Sequence, residues 1–152
     1  MTADLPTQRS DESVRSYYRR LSVLRDALRA YLPDLRESAV QAGRDAGMKV
    51  SQIADRMGVS TAWLYTPRGA EVTYDASLIP EQEQREDALD YYARLAGLRD
   101  EISEKLPKLV VTAAREAEQE TPAPTRTQLA ADLGVTEGYL FKQLRRENHA
   151  KP

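Results

Sequence analysis

Cysteine is absent from the 152 residues, and histidine occurs once, at His149. Disulfides, thiolate nucleophiles and cysteine-based zinc sites are therefore excluded. His149 falls in a polar tail and reads as a solvated residue. No spacing in the chain pairs a base with a nucleophile, so no residue is assigned to catalysis, a metal or a cofactor, and the expectation is a protein that is not an enzyme. Phe and Trp also occur once each. The core must then be built mainly from Leu, Ala and Val, with eight Tyr. No apolar run is long enough to span a bilayer, and the opening MTADLPTQRSDES has no apolar stretch of the signal-peptide type. These absences predict a soluble cytoplasmic protein with no membrane partner. Long alternations of β-branched and polar residues are missing too, while Ala, Leu, Arg and Glu are abundant. The fold class expected is all-α.

The formal net charge is −2, a poor sign for a nucleic-acid partner. Its distribution says more. Residues 1–66 hold ten Lys/Arg and eight Asp/Glu, residues 67–120 seven and thirteen, and residues 121–152 five and three. The acidity is thus confined to the middle.

What the chain does have is a repeat. Shifted by 74 residues, Pro6 falls on Pro80, Glu12 on Glu86, Tyr17-Tyr18 on Tyr91-Tyr92, Arg20-Leu21 on Arg94-Leu95, and Pro33 on Pro107. A shift of 76 aligns Gln52 with Gln128, Gly58-Val59 with Gly134-Val135, and Leu64 with Leu140. The two extra residues fit in the loop ETPAPT. The organisation predicted is a flexible N-terminus at 1–4, repeat 1 at 5–69, a connector at 70–78, repeat 2 at 79–146 and a flexible tail at 147–152. Pro6 and Pro80 suit the first turn of a long helix. Tyr17, Leu21, Leu24, Leu28, Tyr31 and Leu35 give it a heptad face, a rhythm that Lys105 breaks in the second copy. Pro33 and Pro107 are expected to stop or kink it, with a second helix over about 33–46 and 107–118.

Each repeat closes on a similar phrase, QIADRMGVSTAWLYTPRG and QLAADLGVTEGYLFKQLRR. Ser51 and Thr127 are suited to cap a short helix. Ile53, Ala54 and Met57, with Leu129, Ala130 and Leu133, form its apolar face. Gly58 and Gly134 permit a left-handed backbone that turns the chain. Ser60 and Thr136 cap the next helix, and Leu64 and Leu140 anchor it. Helix, glycine corner and helix make a helix-turn-helix.

IADRMGVSTAWLY and LAADLGVTEGYLF resemble the helix-turn-helix of bacterial DNA-binding proteins, of the tetracycline-repressor and resolvase types, over about 20 residues per copy. The resemblance implies double-stranded DNA as partner, with the second helix in the major groove. It places Ser60, Thr61, Ala62, Tyr65, Thr66 and Arg68 on the DNA side of the first copy. In the second it places Thr136, Glu137, Gly138, Tyr139, Phe141, Lys142, Arg145 and Arg146 there. Ser51, Gln52, Thr127 and Gln128 open the preceding helices, whose amide ends suit phosphates. Pro67 is expected to cut the first recognition helix to about two turns, so the second copy is expected to bind more strongly. The implied function is sequence-specific DNA binding by a transcriptional regulator, a repressor acting by promoter occupancy. A plasmid, phage or recombination accessory role uses the same physics. The other reading is an all-helical protein-interaction module with degenerate helix-turn-helix units. The long first helices either pair within one chain, imitating a two-fold dimer, or pair between chains in a homodimer.

Overall fold

The structure is a computed structural model describing residues 4–67 and 69–150, of which 148–150 are described by backbone alone. Arg68, expected above as a DNA contact, lies outside the described residues, as does the side chain of His149. The described chain is all-helical: α1 (Val14–Asp45), α2 (Val50–Met57), α3 (Thr61–Leu64), a 3-10 turn at Ala76–Leu78, α4 (Ala88–Glu118), α5 (Arg126–Leu133) and α6 (Glu137–Ala150). No described helix is long and apolar enough to cross a membrane.

Two expectations about the long helices are corrected. First, neither begins at a proline. Ser13 and Asp87 set the starts, their side chains accepting from the N–H of Ser16 at 3.1 Å and of Asp90 at 2.8 Å. Such oxygens satisfy amides that the first turn leaves open. The prolines instead tether the segments before the helices. Tyr17 Oη donates to the Pro6 carbonyl at 2.6 Å, and Tyr91 Oη to the Pro80 carbonyl at 2.5 Å. Second, there is no separate second helix. α1 runs through Pro33 and α4 through Pro107. An interior proline costs about 3 kcal/mol. The turns around Pro33 bury Leu28, Leu32, Leu35 and Ala39, and each large side chain contributes roughly 1.5–3 kcal/mol. Burial on both sides of the proline outweighs the lost backbone bond.

The chain forms two compact units, and these are not the sequence repeats. Unit 1 comprises Met1–Leu5 and Leu24–Glu101; unit 2 comprises Pro6–Val23 and Ile102–Pro152. α1 and α4 each therefore contribute to both units. In unit 1, Leu24, Leu28 and Leu32 are buried with Ile53, Met57, Tyr92, Leu95 and Leu98. In unit 2, Tyr18 and Leu21 are buried with Ile102, Leu106, Val110, Leu129, Leu133 and Leu140. Of the stretches read as flexible ends, Asp4 pairs with Arg94 at 2.5 Å and α6 continues past Glu147 to Ala150, while residues 1–3, 151 and 152 lie outside the described residues.

A matched ion pair fixes the entrance to each long helix. Arg20 Nε and Nη2 donate to Glu12 at 3.0 and 2.8 Å. Arg94 Nε and Nη2 donate to Glu86 at 2.8 and 2.8 Å. The fork geometry suits a carboxylate bidentately. It holds the Glu12 carboxyl down to about 2 and lowers that of Glu86.

Candidate nucleic-acid interface

Both glycine corners form. Gly58 has φ 74 and ψ 31, and Gly134 φ 74 and ψ 29, both left-handed. At each corner two amides return to the helix just ended: Gly134 N donates to Ala131 O at 3.1 Å and Val135 N to Ala130 O at 3.0 Å, with Gly58 and Val59 doing likewise. This closes the helix in a Schellman-type end. Ser60 and Thr136 then cap the following helices, accepting from Trp63 N at 3.3 Å and Tyr139 N at 3.1 Å.

The caps of the first helix in each corner differ from expectation. Lys49 and Thr125, two residues earlier than Ser51 and Thr127, occupy the cap positions. Gln52 and Gln128 turn their side-chain oxygens back onto the Lys49 and Thr125 amides at 2.9 Å each. Those oxygens are committed to the cap. The Thr127 hydroxyl donates to the Glu137 carboxylate, which ties the start of α5 to the start of α6. Ser51 is exposed.

In unit 2 the second helix is substantial. α6 buries Leu140 and Gln143 and exposes Glu137, Gly138, Phe141, Lys142, Arg145 and Arg146, with Tyr139 half-buried. The guanidinium of Arg126 lies 4.4 Å from the centre of the Phe141 ring. Asp132 is paired with Arg15 and Glu147 with Arg115, while Glu137 accepts from the Thr127 hydroxyl and keeps its charge, one anion against the three cations of α6. Among the described residues, none of these carboxylates pairs with Lys142, Arg145 or Arg146. The exposed side of α6 therefore carries surplus positive charge beside an aromatic ring. Arg126 escaped the sequence reading; the available signal was a basic residue at the start of the helix before the corner.

In unit 1 the counterpart is a single turn, shorter than the two expected. α3 ends at Leu64 and buries none of its residues. Thr61, Ala62, Tyr65 and Thr66 are exposed, Tyr65 by 62%. The Thr66 hydroxyl donates to Ala62 O at 3.0 Å and so is spent locally. Trp63 belongs to the interior edge rather than to an outer surface: its Nε1 donates to Tyr92 Oη at 2.7 Å, and Arg36 sits over its ring at 4.5 Å. Arg56 is held by Asp87 and Asp90 at 2.6 and 2.7 Å. Arg44 of α1 lines one shallow cavity with Tyr65 and Thr66, a cation that the motif alone could not point to.

No family model, curated protein or solved structure matches this chain.

Proposed function

We propose that the protein binds double-stranded DNA through the corner of unit 2, with α6 lying in the major groove. One observation carries the reading. Behind a left-handed glycine corner, a capped helix of 14 residues exposes Lys142, Arg145 and Arg146 next to Phe141, while Asp132 and Glu147 are paired with other arginines. Lys and Arg neutralise phosphates, and an Arg can bind guanine bidentately. Glu137 stands at the start of α6, where its carboxylate could accept from a cytosine amino group. Regulation by occupying a promoter is the simplest use of such binding.

The doubled chain is read as a single-chain imitation of a two-fold dimer. Supporting this are the paired tethers Tyr17–Pro6 and Tyr91–Pro80 and the paired forks Arg20–Glu12 and Arg94–Glu86. A second reading applies to the corner of unit 1. Its one-turn α3 and its Trp63, bound to Tyr92, favour a structural or protein-contacting part rather than base readout.

Selection of bound sites from random duplex DNA, followed by fluorescence anisotropy at several salt concentrations, tests the proposal. The expected result is an enriched site and a log–log salt slope of about −3, one phosphate per basic residue of α6. Binding that is absent at low salt, or that ignores salt, would overturn it.

A further inference from the structure

A cavity of about 320 Å³ opens in unit 1, lined by Tyr31, Tyr74, Tyr91, Ile79, Glu81 and Gln82 among others. Its three rings meet at steep angles. Tyr31 and Tyr74 have centroids 6.1 Å apart at 53°, and Tyr31 and Tyr91 6.4 Å apart at 61°. Rings set this way form a corner rather than a stack. Their faces carry the negative part of the ring quadrupole and attract cations.

The surrounding charge has the same sense. No Lys or Arg is among the described lining residues, and Glu81 is. Arg94 lies 5.4 Å from the Tyr91 centroid, but it is shared by two carboxylates, Glu86 and Asp4. One guanidinium against two carboxylates leaves negative charge over, to which Glu81 adds. Arg94 Nη2 also donates to the Glu81 carbonyl at 2.8 Å, which fixes the backbone of Glu81 at the rim.

Unit 2 supplies an internal control. There Tyr17 stands for Tyr91, tethered to Pro6 as Tyr91 is to Pro80, with Arg20 at the same 5.4 Å from its ring. At the 74-residue shift Lys105 stands for Tyr31 and Thr7 for Glu81. The Lys105 ammonium lies 5.6 Å from the Tyr17 centroid. Unit 2 thus brings its own ammonium to this ring. Unit 1 has a ring in place of the lysine, a carboxylate in place of the threonine, and an open volume. We infer that the cavity of unit 1 binds a small organic cation of the alkylammonium class, its head group against Tyr31, Tyr74 and Tyr91 and countered by Glu81. The volume is at the small end of ligand sites, which fits a quaternary ammonium head with a short tail. The site is independent of DNA binding, since no residue of either glycine corner lines it.

The test is a titration of the full chain, its tyrosine rings labelled with carbon-13, followed by NMR. Choline is the cationic probe, and 3,3-dimethylbutan-1-ol is its neutral isostere. The ring signals of Tyr31, Tyr74 and Tyr91, assigned by single Tyr→Phe variants, should shift together with choline, with the alcohol at least about tenfold weaker. Tyr31→Lys copies the arrangement that unit 2 already folds around Lys105. It should melt cooperatively near the parent temperature and lose choline binding, and Glu81→Gln should weaken binding several-fold. Rings that do not respond to choline, equal response to the neutral alcohol, or undiminished choline binding by Tyr31→Lys would each overturn the inference.

Discussion

Arg36 holds Trp63 in two ways at once. Its guanidinium lies 4.5 Å from the ring centroid, and its Nη1 donates to the Trp63 carbonyl at 3.0 Å. The carbonyl contact joins the backbone of α3 to α1. The ring contact covers the indole, whose N–H goes on to Tyr92. Arg36 is itself only 4% exposed. A single helical turn is too short to be stable by itself, and this chain of three side chains is what secures it.

Trp63→Phe keeps a ring under Arg36 but removes the indole donor, and should cost about 1 kcal/mol. Arg36→Met removes both the ring contact and the carbonyl bond, and should cost about 2 kcal/mol. Urea denaturation followed by circular dichroism measures both. A larger loss in Trp63→Phe than in Arg36→Met would contradict the order given.

Gly43 should prove less replaceable than Gly58. A Cβ at Gly43 would meet Ile53 Cγ1 at 2.6 Å and Cδ1 at 2.8 Å, and Ile53 is fully buried. Gly43→Ala should therefore destabilise by about 2 kcal/mol through overpacking. At Gly58 nothing lies within 4 Å, so alanine meets only the left-handed backbone penalty of about 1 kcal/mol. Unit 2 has Ala117 and Leu129 at the positions of Gly43 and Ile53. Gly43→Ala combined with Ile53→Leu should then recover much of the loss, read from thermal melts of the single and double variants.

For the proposed DNA contact, replacing Lys142 and Arg145 together with alanine should weaken duplex binding about a hundredfold at low salt and reduce the salt slope by about two. Thr66→Ala should leave affinity within twofold. Anisotropy titrations at four salt concentrations give both quantities. Equal losses in the two variants would remove the distinction between the corners.

Acid should weaken the entrances of the long helices. Arg20 holds the Glu12 carboxyl at about 2, against an ordinary value of 4.5. The unfolded chain then takes up a proton before the folded one does as pH falls. Stability from this pair is complete above the ordinary carboxylate range and is lost as pH falls from about 4.5 to 2. Glu86 is lowered in the same direction by Arg94. Melting temperatures between pH 7 and pH 2 should show a smaller decline in Glu12→Gln than in the parent. An identical decline in both would remove Glu12 from the explanation.

Local features were the most legible in the sequence. The all-helical class, the glycine corners and the caps at Ser60 and Thr136 follow from residue types whose preference is settled within a turn. The prolines misled because their cost is local while its compensation is tertiary: burial of Leu28, Leu32 and Leu35 decides the continuity of α1. The cap at Lys49 could not be anticipated from its own side chain, which has no acceptor. It works through the reach-back of Gln52. Trp63 and Arg36 are 27 residues apart, and no periodic pattern links them. The repeat was plain to read, but not its division between compact units, because a heptad face does not specify which helix will cover it.

The two-part membership of α1 also has a consequence for the nascent chain. Residues Pro6–Val23 are translated well before their companions in unit 2, which begin at Ile102. Unit 1 has its whole complement once Glu101 has left the ribosome, whereas the opening stretch of α1 must wait for the residues from Ile102 onward. During that interval Tyr17, Tyr18 and Leu21 have no native cover, so turns made before unit 1 is complete are shielded from water and from wrong partners only after it.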